Sequence, residues 1–155
     1  MADVRNIAPY LEPLRRTAVV RRKPEEAFDI FTTRIATWWP HTQYSIHQEE
    51  TVSCAIEPRV GGQVYETSKS GERGIWGTVL AWDPPRRFVM TWHPGHDADT
   101  AQEVEVRFVA VPEGTRVELE HRGWEKLGAG AEEARSNYSG GWAHVFDVAY
   151  VGACQ

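Results

Sequence analysis

The chain has few cysteines, and this scarcity excludes a fold built on disulfides or structural zinc. Cys54 and Cys154 lack the paired spacing that disulfide frameworks and zinc sites show. With 155 residues, the chain is long enough to bury a core without cross-links. We therefore expect a buried free thiol at Cys54, a frayed chain end at Cys154 and a single domain over residues 1–155.

Basic residues and long apolar runs are also scarce, and this excludes two kinds of partner. The 22 acidic and 17 basic side chains give a formal net charge of −5, whereas nucleic-acid binding needs a positive field. No run approaches the roughly 20 apolar residues of a membrane span, and the N-terminus lacks the apolar core of a signal peptide. We expect a cytoplasmic protein with neither a nucleic-acid nor a membrane partner.

Standard catalytic and metal-binding motifs are missing as well. The sequence contains no Gly-x-Ser-x-Gly elbow, no phosphate-binding loop and no His-Glu-x-x-His pair. Segment 93–99 holds two histidines and two aspartates, but their spacing matches no standard set of metal ligands. We therefore predict no bound metal, no cofactor and no firm catalytic residue.

The chain does contain a tryptophan-rich hairpin at residues 74–92. Two apolar, β-prone runs flank Asp83-Pro84-Pro85, where the strand must end because proline lacks the amide donor. Trp76, Trp82 and Trp92 lie along the two predicted strands. Three large aromatic side chains on one hairpin need a cover, and a long helix near the end of the chain supplies one.

Hydrophobic periodicity predicts an α+β fold in which a curved antiparallel sheet wraps around a long C-terminal helix. A first strand is predicted over 14–22, followed by one or two short helices that begin at Pro24 and end near Trp38. Strand-like alternation then makes about six or seven strands in all. The last helix runs from about 131 to 151, and the ordered core covers about 14–152. The expected inner face of this helix is Tyr138, Trp142, Val145, Phe146 and Ala149.

Seven short motifs, spread over nearly the whole chain, carry a family resemblance. They are Pro24-Glu25-Glu26-Ala27-Phe28, Trp38-Trp39-Pro40, Glu57-Pro58-Arg59-Val60-Gly61-Gly62, Trp76-Gly77-Thr78-Val79, Trp82-Asp83-Pro84-Pro85, Thr91-Trp92 and Gly141-Trp142. In this order they resemble the START-like, helix-grip superfamily called SRPBCC. Within it, they are similar to bacterial domains that resemble the C-terminal domain of the heat-shock-protein-90 ATPase activator. The resemblance implies a grip around a cavity, with lipid or small-molecule binding, cyclase, dehydratase or chaperone-contact functions.

One predicted strand places a histidine on the inner face of the sheet. Val117, Leu119 and His121 share one face, while the alternate positions are charged and face solvent. His121 is therefore expected on the concave side, with Trp124 just beyond it. There it would orient a polar ligand or act as a general acid or base. The alternative is a structural histidine that a backbone carbonyl or a buried water satisfies.

Large amphipathic rings are expected to converge on the same space and to line a pocket, the alternative being a plain core. Tyr65 and Glu66 are neighbours on one strand, so only one of them points inward, and the sequence does not decide which. The candidate ligand-binding residues are Trp39, His47, Tyr65, Trp76, Met90, Trp92, His121, Trp124, Tyr138 and Trp142.

Three functions compete on this fold. The first is a non-catalytic protein that binds a small apolar or aromatic molecule between the sheet and the C-terminal helix. The second is a cyclase, dehydratase or hydrolase that uses His121, with Glu66 or His47 as its polar partner. The resemblance also implies a chaperone-associated protein, and a homodimer through the sheet edge or the Trp38-Trp39 region is left open. Aromatic lining without a complete catalytic constellation favours the first.

Overall fold

The computed structural model describes residues 10–155, and its centre is one antiparallel sheet of seven strands. The strands are β1 (Leu14–Val20), β2 (Thr51–Ile56), β3 (Gln63–Ser68), β4 (Arg73–Asp83), β5 (Arg87–Trp92), β6 (Gln102–Val111) and β7 (Gly114–Arg122). Their order across the sheet is β1-β7-β6-β5-β4-β3-β2, so the first two strands of the chain form its two edges. The predicted α+β class and strand number are confirmed.

Alternation along the strands decides which face of the sheet becomes the core. On β7, Val117, Leu119 and His121 are buried, while the charged positions between them lie on the outer face, as predicted. The β6–β7 turn depends on Gly114, which has a φ of 146°. A Cβ at this position would lie 2.2 Å from the carbonyl oxygen of Val20, so only glycine lets β1 approach the turn.

The outer face carries a network of charges around one buried carboxylate. Glu105 on β6 accepts hydrogen bonds from Arg87 at 3.0 Å, from Arg107 at 2.7 Å and from Arg122 at 2.7 Å. Burial alone would raise the pKa of Glu105, but the three guanidinium groups outweigh it and lower this pKa to about 2. The network therefore joins β5, β6 and β7 on the side opposite the core.

The first helix is shorter than predicted. It spans Pro24–Phe31 (α1) and ends where the Thr32 hydroxyl donates a hydrogen bond to the Phe28 carbonyl oxygen at 2.7 Å. A threonine that bonds back four residues in this way competes with helix continuation. The chain then makes a separate 3₁₀ turn before Trp38. Short 3₁₀ turns occur at Ile35–Thr37, Gln48–Glu50, Ala98–Thr100 and Trp124–Gly130.

The C-terminal helix is continuous but changes its winding. It consists of α2 (Ala131–Trp142), a π-helical segment (Ala143–Tyr150) and a last turn, α3 (Val151–Ala153). Among residues 10–155, no helix is both long and apolar enough to cross a membrane.

The π-helical winding changes which side chains reach the core. In an α-helix the residue seven positions along returns to the starting face, whereas the wider π-helical turn moves the returning position to a later residue. Trp142, Phe146 and Tyr150 are accordingly all buried. Ala149, predicted on the inner face from α-helical periodicity, is half-buried, and Tyr150 takes the inner position instead. The Tyr150 hydroxyl donates to the Ala27 carbonyl oxygen at 2.8 Å and so ties this helix to α1.

Both cysteines are buried free thiols. This confirms the prediction for Cys54, whose thiol pKa burial raises to about 12. The expectation of a frayed end at Cys154 is wrong. Arg22 Nε donates to the Cys154 carbonyl oxygen at 3.0 Å and holds the chain end against the region that follows β1.

Candidate functional site

A cavity of about 340 Å³ opens between the C-terminal helix, the segment after α1 and the loop after β5. This volume is at the lower end of the roughly 300–1,000 Å³ of ligand pockets. The segment after α1 contributes Trp39 and residues 43–46, and β5 with its following loop contributes Trp92, Pro94 and Gly95. The helix contributes Tyr138, Gly141, Trp142 and Val145.

Four buried tryptophans pack against one another beside this cavity, and we call them the tryptophan cluster: Trp39, Trp76, Trp92 and Trp142. Their ring centroids are 4.9 Å apart for Trp39–Trp76, 5.6 Å for Trp76–Trp92 and 5.6 Å for Trp92–Trp142. Such separations are those of mutually attractive aromatic pairs. Trp39, Trp92 and Trp142 line the cavity, whereas Trp76 lies behind them.

Every indole N–H of the tryptophan cluster donates to another group of the protein. Trp39 Nε1 donates to the Tyr44 carbonyl oxygen at 2.8 Å, and Trp92 Nε1 donates to the Tyr138 hydroxyl at 3.3 Å. Trp142 Nε1 donates to His121 Nδ1 at 3.0 Å, and Trp76 Nε1 donates to Glu66 at 2.6 Å. The polar edges of the lining tryptophans are thus occupied, so the parts of these rings that reach the cavity are carbon.

His121 is buried and both of its ring nitrogens have partners. Nδ1 accepts from Trp142, so the ring proton is on Nε2, which lies 3.2 Å from Gln102 Oε1. The Gln102 amide is oriented in turn because its NH₂ group donates to the Thr100 carbonyl oxygen. Burial lowers the pKa of His121 to about 3. His121 is therefore a neutral imidazole at physiological pH, and its hydrogen bond fixes the orientation of Trp142.

Glu66 is the second buried polar centre, and it holds the segment that borders the cavity. The carboxylate accepts backbone hydrogen bonds from Ile46 N at 2.6 Å and from His47 N at 2.8 Å. It also accepts from His47 Nδ1 at 2.6 Å, from Trp76 and from Thr51. Burial would raise the pKa of Glu66, but these hydrogen bonds outweigh it and the pKa is lowered. An ionised Glu66 therefore positions Ile46, whose side chain borders the cavity, and braces the tryptophan cluster.

Tyr44, which lines the cavity, contacts a histidine outside the lining. The Tyr44 hydroxyl lies 3.3 Å from His144 Nδ1, and the two rings are arranged edge to face at 5.4 Å. His144 belongs to the π-helical segment. The pair joins the segment after α1 to the C-terminal helix.

The structure places the ten predicted ligand-binding residues in four kinds of position. Trp39, Trp92, Tyr138 and Trp142 line the cavity, and Trp76, Met90, His121 and Trp124 are buried outside its lining. His47 is bonded to Glu66. Tyr65 lies on the outer face, where the Arg73 guanidinium sits 3.7 Å from its ring centroid. The sequence left open which of Tyr65 and Glu66 points inward, and in the structure Glu66 takes the inward position.

Sequence reasoning missed the loop residues of the cavity wall: Gln43, Tyr44, Ser45, Ile46, Pro94 and Gly95. Loops show no periodicity, so burial within them leaves little trace in the sequence. The available signal was Tyr44 and Ile46, two large side chains in an otherwise polar stretch. Among residues 10–155, no group of three or more histidine, cysteine or acidic side chains is arranged to hold a metal ion.

Comparisons with known proteins connect this chain to a family. The sequence matches the profile of the family described as Activator of Hsp90 ATPase homolog 1-like protein over residues 21–148. A search of curated proteins gives no match.

Solved structures share the fold over nearly the whole chain. The protein MLL2253 from Mesorhizobium loti is 18% identical, with a TM-score of 0.64 and coverage of 92% of this chain and 96% of that one. An AHSA1-like protein from Aeromonas hydrophila is 20% identical, with a TM-score of 0.63 and coverage of 92% and 93%. An anthrahydroquino-γ-pyrone synthase, Txn09, is 36% identical, with a TM-score of 0.58 and coverage of 84% and 88%.

Proposed function

This chain belongs to the Activator of Hsp90 ATPase homolog 1-like family, and from its cavity we propose that it binds a small, flat aromatic molecule. The observation that carries the proposal is the set of three lining tryptophans, Trp39, Trp92 and Trp142, whose N–H groups are all bonded within the protein. Their carbon surfaces favour an apolar occupant, and their π-faces favour a flat one.

The 36%-identical relative supports an aromatic occupant. That protein is described as an anthrahydroquino-γ-pyrone synthase, and the name denotes a fused polycyclic aromatic product. The tryptophan-lined cavity of this chain suits a molecule of the same shape, because fused rings offer large flat surfaces for stacking.

Ring-closing catalysis on such a molecule is the second candidate function. It is favoured by the same relative, which is a synthase, and by Tyr44 in the cavity lining with its partner His144. His121 is poorly suited to be the base that the sequence suggested, because Trp142 and Gln102 occupy its ring nitrogens. A reaction that used it would first have to break one of these hydrogen bonds.

Filling the cavity from the helix side tests the proposed binding. Gly141 lines the cavity, and a Cβ there would make only an ordinary 3.5 Å contact with Tyr44, so a larger side chain extends into the cavity. Gly140 is its matched control, because it is exposed and a Cβ there would meet nothing within 4 Å. Both substitutions replace a helical glycine and improve helix propensity by a similar amount.

We expect Gly141→Leu to fold but to bind anthracene-2-sulfonate at least tenfold more weakly than the wild type, because the cavity is filled. Gly140→Leu should bind like the wild type. Quenching of tryptophan fluorescence measures both affinities, and thermal unfolding verifies that both variants are folded. Equal affinity in wild type and Gly141→Leu would show that the probe binds elsewhere and would contradict the proposal.

The partner hypotheses stay predictions. Chaperone association, implied by the resemblance, and a homodimer through the sheet edge or Trp38-Trp39 both need protein-binding experiments. Trp39 is buried and Trp38 is half-buried against Phe31 and Tyr150, so this pair offers little free surface for a partner.

A further inference from the structure

The lining of the cavity is mostly apolar, so the few polar groups that face it have a large effect on which ligand binds. Two of its three hydroxyls are already engaged. The Ser45 hydroxyl donates to the His41 carbonyl oxygen, and the Tyr44 hydroxyl pairs with His144 Nδ1 at 3.3 Å. The third hydroxyl belongs to Tyr138.

The Tyr138 hydroxyl is used on one side only. It accepts a hydrogen bond from Trp92 Nε1 at 3.3 Å, and its own proton has no acceptor among residues 10–155. A phenol both donates and accepts, so this donor remains available. Burial raises the pKa of Tyr138, which keeps the hydroxyl protonated at neutral pH.

Packing fixes the position of the Tyr138 ring and its hydroxyl oxygen. The Tyr138 ring lies edge to face against His121 at 4.8 Å and tilted against Trp124 at 5.7 Å. His121 and Trp124 are themselves stacked at 4.1 Å, and both are fully buried. A preorganised donor in an apolar pocket recognises an acceptor with little entropic cost on binding.

From this geometry we infer that Tyr138 selects a flat aromatic ligand that carries a carbonyl oxygen, such as a polycyclic quinone or aryl ketone. The ring system stacks on Trp39, Trp92 and Trp142, and the carbonyl oxygen accepts the Tyr138 proton. His121 is a positioning residue in this arrangement, because it holds both Trp142 and the Tyr138 ring. The inference rests on the proposed function and specifies the chemical class of the ligand.

Two matched probes test the inference. Anthraquinone-2-sulfonate and anthracene-2-sulfonate share the tricyclic shape and the charge, and they differ in the two carbonyl groups. Calorimetric titration should show that the wild type prefers the quinone by roughly threefold to tenfold, the range for one neutral hydrogen bond. Tyr138→Phe should lose this preference, and the readout is the ratio of the two affinities, because the substitution also removes the acceptor of Trp92 Nε1 and can weaken both probes alike.

A spectroscopic readout separates the hydrogen bond from a packing effect. The carbonyl stretching band of bound anthraquinone-2-sulfonate should lie at lower frequency in the wild type than in Tyr138→Phe. Equal wild-type affinity for both probes, or a preference and a band position that survive in Tyr138→Phe, would overturn the inference and leave the proposed function standing. Failure of the wild type to bind either probe would overturn both.

Discussion

At the scale of single residues, His121 shows how a buried histidine supports a site that it does not line. Its Nδ1 accepts from Trp142, its Nε2 faces Gln102, and its ring stacks on Trp124. Protonation would place a second N–H opposite the Trp142 N–H in a buried environment. The pKa of His121 is accordingly lowered from 6.5 to about 3 by burial.

This lowered pKa predicts a pH dependence of stability. Below pH 6.5 the unfolded chain protonates His121, whereas the folded chain resists protonation until about pH 3. The unfolded state then binds more protons, so the free energy of unfolding falls as the pH falls through this window, by up to about 1.4 kcal/mol per pH unit. Urea unfolding between pH 7 and pH 5 measures this slope above the range in which most carboxylates titrate.

His121→Gln should reduce that slope, because glutamine keeps an acceptor for Trp142 and a donor for Gln102 but does not titrate. His96→Gln, in the exposed loop after β5, is the control and should keep the wild-type slope. If His121→Gln and the wild type have the same slope, His121 is not the source of the pH dependence.

At this scale, the sequence correctly predicts which face of the sheet a residue occupies when buried and charged positions alternate along its strand. The period of two placed His121 on the inner face, and the structure confirms this position. It could not choose between Tyr65 and Glu66, because burying a carboxylate depends on donors that come from elsewhere in the chain. Those donors are the backbone amides of Ile46 and His47, about 20 residues away, and no sequence pattern near Glu66 indicates them.

At the scale of elements, the segment between α1 and β2 is held in place by one carboxylate. Glu66 on β3 binds the amides of Ile46 and His47, and Ile46 borders the cavity. The same carboxylate accepts from Trp76 at 2.6 Å. The segment and the tryptophan cluster therefore share a single anchor.

Glu66→Gln should loosen this segment. In the wild type, several donors point at the Glu66 carboxylate. A glutamine would place an NH₂ group, which cannot accept, opposite some of these donors. We therefore expect the free energy of unfolding to fall by about 3 kcal/mol. The amides of Ile46 and His47 should exchange hydrogen faster. Glu72→Gln is the matched control, because it makes the same chemical change on an exposed side chain that lies 3.7 Å from His47. If the amide hydrogens of Ile46 and His47 exchange as slowly in Glu66→Gln as in the wild type, Glu66 does not anchor this segment.

The helix boundaries show what sequence periodicity cannot supply. α1 ends at Phe31, where the Thr32 hydroxyl bonds back to the Phe28 carbonyl oxygen, and the C-terminal helix winds as a π-helix from Ala143 to Tyr150. An α-helical period applied to this last helix placed Ala149 inside and missed Tyr150. The local sequence does not signal this change of winding, which brings Tyr150 into the core and its hydroxyl to the Ala27 carbonyl oxygen.

At the scale of the whole molecule, the sheet and the C-terminal helix bring distant parts of the chain to one cavity. Trp39 follows α1, Trp92 ends β5 and Trp142 ends α2, and the three indoles meet with centroids 5.6 to 6.2 Å apart. Strand order and family resemblance allowed the grip architecture to be predicted. The shape of the cavity depended on the loops, and only the folded structure supplies it.

The most direct measurement of the central claim records the seven indole N–H resonances by NMR while anthraquinone-2-sulfonate is added. Trp82 is the internal control, because it packs against Phe28 and Phe88 and does not line the cavity. We expect saturable shifts at Trp39, Trp92 and Trp142 and little change at Trp82. Unchanged resonances at those three tryptophans, or shifts concentrated at Trp82, would contradict binding in this cavity.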